Sequence, residues 1–311
     1  MNDRRSARPI TLSIAAVERD TGLSKDTLRV WERRYGFPQP ARDDFGERVY
    51  PIEQVEKLRT IKRLLNGGHR PGRIVAMPID DLQRLADSCN PAPPRSAPDA
   101  AAPDLRDYIE LIRSHDVDSL RRALSQSLLR IGLGRFVVEV IAPLNLLVGD
   151  SWMRGHLEIF EEHLYTESIH VVLRSAIASV PSADVGDRPR VLLTTFPNEP
   201  HGIGLLMAET LFVLEGARCV SLGTQTPIWD IALAATALRA DIVALSFTSV
   251  LTPTLVHEGL AELRDKLPRS VELWAGGAAP VLHRRPVADV LALDALEAVG
   301  PEVRRWRAER G

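Results

Sequence analysis

Cysteine is scarce in this 311-residue chain: Cys89 and Cys219 stand far apart and form no C-x-x-C pair. Neither a disulfide framework nor a thiolate metal site is therefore expected, and a reducing compartment, the cytoplasm, fits. Also missing is any uninterrupted apolar run approaching the roughly 20 residues of a membrane helix. The N-terminus has arginines but no apolar core of signal-peptide length. No membrane partner is expected. A strong net charge is lacking too, with 39 Lys and Arg against 41 Asp and Glu, but this balance hides a split. The first eighty residues hold 16 basic and 11 acidic side chains, leaving 23 against 30 for the remainder. A basic amino-terminal module ahead of an acidic body suits a polyanion such as DNA.

What is present divides into segments. "CNPAPPRSAPDAAAPD", residues 89–104, is rich in Pro and Ala without apolar period and reads as an extended linker. It separates a domain over 1–88 from a helical stretch over 105–182, whose few breakers are Gly132, Gly134, Pro143 and Gly155. A four-helix bundle is the simplest reading of that stretch. Over 183–311 the β-rich runs "RVLLTTF", "RCVSLG", "DIVALSF" and "VELWAGG" alternate with amphipathic helical stretches. Such alternation implies a parallel, doubly wound sheet of the Rossmann-like, flavodoxin-like kind. The fold class is thus multidomain, α followed by α/β.

In "LSIAAVERDTGLSKDTLRVWERRYGFPQP", Ser13 can cap one helix, Gly22 can turn the chain, and Ser24 can cap a second helix that stops at Gly36. Leu28, Trp31 and Tyr35 share one face of that second helix, while Arg29 and Arg33 point away from it. "ARDDFGERVYP" then offers a hairpin-like wing with Gly46 at its turn. Over residues 11–80 the chain resembles the winged-helix DNA-binding domain of the MerR family, through "TLRVWERRYGF" and "GERVYP". The resemblance implies that the second helix enters the major groove and that the wing grips the backbone of double-stranded operator DNA. Candidate contacts are Thr27, Arg29, Arg33, Arg34, Tyr35, Arg48 and Tyr50, with base-edge contact assigned first to Arg29 and phosphate contact to the others. No long heptad run follows the wing, so self-association is expected from the rest of the chain.

"NEPHGIG" places His201 just beyond a strand, where open α/β sheets collect ligands. A loop imidazole can reach a metal while a carboxylate two residues earlier, Glu199, accepts its other ring N–H and fixes the tautomer. Ser249 and Leu251 follow the third strand, and Gly276 and Gly277 follow the fourth. Together E-x-H-x-x-G, S-x-L and G-G resemble the cobalamin-binding domain of methionine synthase and related proteins, over residues 188–300. That resemblance implies that His201 is the lower cobalt ligand and Glu199 its hydrogen-bond partner. It further implies that Ser249 contacts the displaced nucleotide tail, with Leu251 in the same motif, and that Gly204, Gly276 and Gly277 give room. Relatives more often carry Asp where Glu199 stands.

The helical middle contains Trp152, nine residues, then Glu162-His163. Glu167-x-x-His170 is half of a di-iron constellation, and no second E-x-x-H completes it. In order, the MerR-like head, the W-x9-E-H segment and the cobalamin-like domain resemble the B12-dependent photoreceptor repressors of the CarH/LitR group over nearly the whole chain. The resemblance implies that Trp152, Glu162 and His163 surround the upper face of adenosylcobalamin, that the protein is not an enzyme, and that a dark homotetramer binds DNA and dissociates in light. Photosensory relatives can carry His directly after this Trp, where the present chain has Met153, with His156 nearby. Two alternatives stay open: a corrinoid-carrying methyltransferase subunit, which has no use for a winged helix, and a cofactor-independent MerR-type regulator.

Overall fold

The structure is a computed structural model and describes residues 11–43, 45–66, 68–88, 104–181 and 188–310. The proposed linker therefore lies outside the described residues except for Asp104, which caps a helix by accepting from the Arg106 amide at 2.9 Å. The chain divides into two compact units: residues 1–96 with 150–156, and residues 97–149 with 157–311.

The first unit contains β1 (Thr11–Ser13), α1 (Ile14–Thr21), α2 (Lys25–Tyr35), β2 (Ala41–Arg42), β3 (Arg48–Pro51), α3 (Ile52–Asn66), α4 (Pro71–Ile74) and α5 (Ile79–Ser88). The helix signals read from sequence are realised: Ser13 accepts from the Ala16 amide at 3.3 Å and Ser24 from the Thr27 amide at 3.1 Å. Gly22 and Gly36 end α1 and α2 in the left-handed conformation, which glycine adopts without steric cost. β2 and β3 form the wing, and β3 also pairs with β1, giving an antiparallel sheet in the order β1-β3-β2. β1 was not expected, because three residues are too few to show a period. The core collects Val17, Leu28, Trp31, Tyr50, Leu58 and Ile74, among others.

In the second unit α6 (Leu105–Arg113), α7 (Val117–Ile131), α8 (Leu133–Arg135) and α10 (Ile159–Ala178) form the helical part with most of α9 (Ala142–Met153), whose last residues pass into the first unit. Between α8 and α9, residues Phe136–Ile141 form a π-helical turn, closed by the Ala142 amide donating to the Val137 carbonyl. Pro143 follows at once, and a residue without N–H inside a helix favours such a local widening. Among the described residues, the run Leu133–Met153 is long and apolar enough to cross a membrane by length and composition, with mean hydropathy 1.4. It did not stand out in sequence because Arg135, Glu139 and Asp150 interrupt it. Phe136, Val137, Val140, Ile141, Leu144 and Val148 along this run are buried inside the protein.

The sheet strands are β4 (Arg190–Thr194), β5 (Arg218–Ser221), β6 (Ile242–Phe247), β7 (Glu272–Gly277) and β8 (Val290–Ala292). They are parallel in the order β5-β4-β6-β7-β8, which is the 2-1-3-4-5 order of flavodoxin-like folds. Sequence reading found the first four; β8 is a three-residue, half-buried edge strand without a continuous apolar run. The remaining helices are α11 (Ile203–Leu214), α12 (Ile228–Ala237), α13 (Pro253–Lys266), α14 (Val281–Arg284) and α15 (Val299–Arg310). Alternate residues of the strands face opposite layers. Val191, Leu193 and Trp274 share a core with Phe212 of α11 and Trp306 of α15, whereas Leu192, Val243 and Leu245 share one with Ile231 of α12 and Val256 of α13. Helices on both faces leave the carboxyl ends of the strands as the place for a ligand. The strand order reverses between β4 and β6.

Candidate functional site

In the first unit the burial of Leu28 and Trp31 fixes which way α2 faces. Asp26, Arg29, Val30, Arg33 and Arg34 are left exposed. Arg29 contacts Asp26 at 3.2 Å, an exposed pair that a phosphate or base edge can displace. Thr27 is tied into the helix start, its hydroxyl 2.8 Å from that of Ser24. The Arg34 guanidinium lies 5.3 Å from the centre of the half-buried Tyr35 ring. Val30, 43% exposed between the arginines, was missed in sequence because a lone valine carries no polar signal.

The wing departs from expectation. Tyr50 is fully buried in the core and its hydroxyl has no hydrogen-bond partner among the described residues, so its placement among the phosphate contacts is corrected: it is a packing residue. Alternation along β3 turns it inward, into the core with Val17, Leu28 and Val55. Arg48 is held by Glu32, with Nε donating at 3.0 Å and Nη2 at 3.5 Å. The turn itself is braced by Asp43, whose carboxylate accepts from the amides of Phe45 and Glu47 at 2.9 and 2.8 Å, and by Arg42 donating to the Gly46 carbonyl at 2.6 Å.

In the second unit, the loop after β4 brings Glu199 and His201 to the crevice where the strand order reverses. Pro200 between them stiffens the chain, and Asn198 turns it with φ of 66°. The loop is anchored by Thr195, whose hydroxyl donates to the Glu199 carbonyl at 2.7 Å and accepts from the Gln225 amide at 2.8 Å. Glu199 is 0% exposed. One carboxylate oxygen receives His201 Nδ1–H at 2.7 Å and the His201 amide at 3.2 Å; the other receives the Thr248 amide and hydroxyl, both at 2.8 Å. Burial pushes this carboxyl up, but the hydrogen bonds from His201 and Thr248 outweigh it and hold the group below the ordinary glutamate range. An ionised Glu199 keeps the proton on Nδ1, so Nε2 carries the lone pair, and the imidazole is 52% exposed. The arrangement offers an oriented nitrogen donor of the kind cobalt takes.

Thr248 was not foreseen. The S-x-L reading selected Ser249, which is exposed, whereas Thr248, one position earlier, holds the carboxylate. Leu251 is buried in the core beside α12 and α13. The glycines also divide. A Cβ at Gly277, where φ is 110°, would lie 2.2 Å from the Phe247 carbonyl oxygen, and one at Gly204 would lie 2.8 Å from Ser246 Oγ. At both positions an added side chain would meet the protein's own chain. At Gly276 a Cβ would meet only Leu293, at an ordinary 3.7 Å.

Trp152 belongs to the first compact unit, where the Arg63 guanidinium lies over its ring at 5.8 Å. Met153 is half-buried and His156 exposed in the same segment. Glu162 and His163 lie in the second unit, on the first turn of α10: Glu162 accepts from the Thr166 hydroxyl at 2.7 Å and approaches His163 at 3.7 Å. The neighbouring Glu161 is structural, its carboxylate accepting from the Glu158 amide at 2.7 Å and contacting His115 at 3.0 Å. No group of three or more His, Cys, Asp or Glu side chains able to hold a bare metal ion occurs among the described residues.

Comparison with known proteins agrees with this layout. Residues 12–77 match the MerR HTH family of regulatory proteins, and residues 105–175 match a B12 binding domain. The chain is 30% identical over 270 residues to the HTH-type transcriptional repressor CarH of Myxococcus xanthus, spanning 85% of this chain and 87% of that protein. It is 31% identical to the repressor CarA of the same organism, over 83% of each chain. The chain belongs to this family of MerR-type regulators with a B12-binding domain. It is accordingly a DNA-binding transcriptional regulator that carries a cobalamin domain. A monomethylamine corrinoid protein of Methanosarcina barkeri is also similar, at 13% identity and a TM-score of 0.49, over 63% of this chain and 94% of that one.

Proposed function

We propose that this protein represses transcription by binding its operator as a tetramer loaded with adenosylcobalamin in the dark, and that light releases it. One observation carries the reading: a half-exposed imidazole whose second nitrogen is locked to a buried carboxylate, itself locked by Thr248, at the carboxyl edge of the sheet. Such a triad fits a cobalt ligand better than a solvated loop histidine, which needs no buried partner. When bound, the cofactor supplies a light-sensitive cobalt–carbon bond. His201 would hold the cobalt, Glu199 and Thr248 would fix the tautomer of His201, and Trp152, Glu162 and His163 are proposed to serve the cofactor as well. Trp152 shares its compact unit with the winged helix. A switch of this kind needs a bistable arrangement for the photochemical event to bias.

The experiment compares purified protein with and without adenosylcobalamin, in the dark and after green light, by visible spectrum, size-exclusion chromatography and operator mobility shift. The expected result is a dark tetramer that retards operator DNA and a smaller, released species after light. His201→Ala should shift the spectrum and weaken uptake. An unaltered spectrum and affinity in that variant would move the cofactor elsewhere. With Met153 after the tryptophan, the illuminated protein should respond rapidly to added imidazole. If it does not, and His156→Ala restores the response, His156 is the upper donor.

A further inference from the structure

The amino-terminal edge of the parallel sheet carries a feature that neither DNA nor cofactor binding uses. An open cleft of about 410 Å³ lies there, at the opposite end of β4 from the His201 loop. Arg190 from β4, Arg218 from β5 and Arg239, just past α12, line it, together with an apolar floor that includes Leu192, Val220 and Leu238. Arg190 and Arg218 are register partners on adjacent strands, so their side chains leave the same face of the sheet. Among the described residues no acidic side chain lines the cleft.

The nearby acid, Asp241, is already engaged. One of its oxygens accepts from the Arg190 amide at 2.8 Å, and the other meets the Arg188 guanidinium at 3.3 Å. The Nε of Arg190 is buried and has no hydrogen-bond partner among the described residues. A buried donor left unpaired is unfavourable unless something supplies the acceptor. Arg239 occupies a left-handed position, φ of 53°, of the kind that ordinarily favours glycine. The negative end of α12 accounts for one cation here. Arg190 and Arg239 together exceed what one helix end requires.

We propose that this cleft is a second ligand site, for a small phosphorylated molecule of about nucleoside-monophosphate size. The planar guanidinium fork matches a phosphate bidentately, the apolar floor accommodates a ring, and the volume falls in the range of small-molecule pockets, roughly 300–1,000 Å³. The site is independent of the cofactor reading, because it uses the other end of the strands.

The test is calorimetric titration of the full-length protein with adenosine 5′-monophosphate and with inorganic pyrophosphate, at constant ionic strength. Saturable binding is expected, and Arg190→Met should weaken it roughly tenfold or more, as removal of a charge-assisted hydrogen bond does. Arg239→Gln, at an exposed position, should weaken it comparably and keeps the test valid if the Arg190 variant fails to fold. Cobalamin uptake, read from the visible spectrum, should be the same in wild type and variants. Wild-type affinity in both variants, or heats reproduced by sodium chloride alone, would overturn the proposal. So would loss of operator binding in both variants when neither phosphate probe binds wild type, since the cleft would then serve the duplex backbone.

Discussion

Replacing Glu199 by glutamine isolates the central hydrogen-bond logic of the site with almost no change in shape. Each carboxylate oxygen faces two donors: the Nδ1–H and amide of His201 on one side, the amide and hydroxyl of Thr248 on the other. A glutamine has one accepting lobe and one donating lobe, so one pair of donors must meet an NH2 group. If that group faces Thr248, the hydroxyl can rotate to accept, but the backbone N–H loses its acceptor at a cost of about 1–3 kcal/mol. If it faces His201, Nδ1 must accept, and the ring proton moves to Nε2, which then has no lone pair for a metal. Either arrangement should lower cobalamin affinity about 10–100-fold, or about 1.4–2.7 kcal/mol. The assay is a spectral titration with cobalamin, paired with urea unfolding across pH. Since the Glu199 carboxyl is held below its ordinary value, its stabilisation is fully present above the unfolded glutamate pKa, about 4.3, and is lost as pH falls through the folded value. The stability gap between wild type and Glu199→Gln should therefore narrow on acidification below about pH 4. Wild-type affinity in the variant, with a gap that does not change in acid, would refute the reasoning.

Gly277→Ala should destabilise the protein by at least about 2–3 kcal/mol, since it combines a left-handed φ with a 2.2 Å approach to the Phe247 carbonyl; Gly276→Ala should stay within about 1 kcal/mol, both read by urea unfolding. Arg29→Ala or Arg33→Ala should weaken operator binding by about 1–3 kcal/mol in a mobility shift, whereas Tyr50→Phe should leave it unchanged. A loss in Tyr50→Phe would return that tyrosine to the DNA interface. Trp152→Ala loaded with adenosylcobalamin should elute later than wild type in the dark; unchanged elution would confine Trp152 to packing with Arg63.

Features set by short-range physics were legible in the sequence, and features set by pairing were not. Ser13, Ser24, Gly22 and Gly36 announce the ends of α1 and α2 because capping is a contact between near neighbours. Strands β4 and β6 were visible as runs of Val, Leu, Ile and Ala, the mark of strands covered on both faces, and β5 and β7 by their place in the alternation with helices. β1 and β8 have only three residues each and exist through their partners. Tyr50 was misplaced for the same reason: its face is decided by the register of β3 with β1, which no local pattern displays. Thr248 was overlooked beside Ser249 because which of two adjacent hydroxyls reaches Glu199 depends on where β6 ends relative to β4, a matter of sheet register.

The same register argument extends from recognition to transmission within the second unit. α11 starts two residues after His201, and it is joined to α10 by Arg174, whose guanidinium donates to both carboxylate oxygens of Glu209 at 2.6 and 2.7 Å. Glu209 is buried, so separating these helices would strand a charge in the interior, a far larger penalty than breaking an exposed pair. α10 in turn begins with the turn that bears Glu162 and His163, and Glu161 locks that turn through its capping interaction with Glu158. On the proposed reading, a displacement at Glu162-His163 is carried along α10, and the Arg174–Glu209 pair is a charged junction between that helix and α11, which begins just after His201.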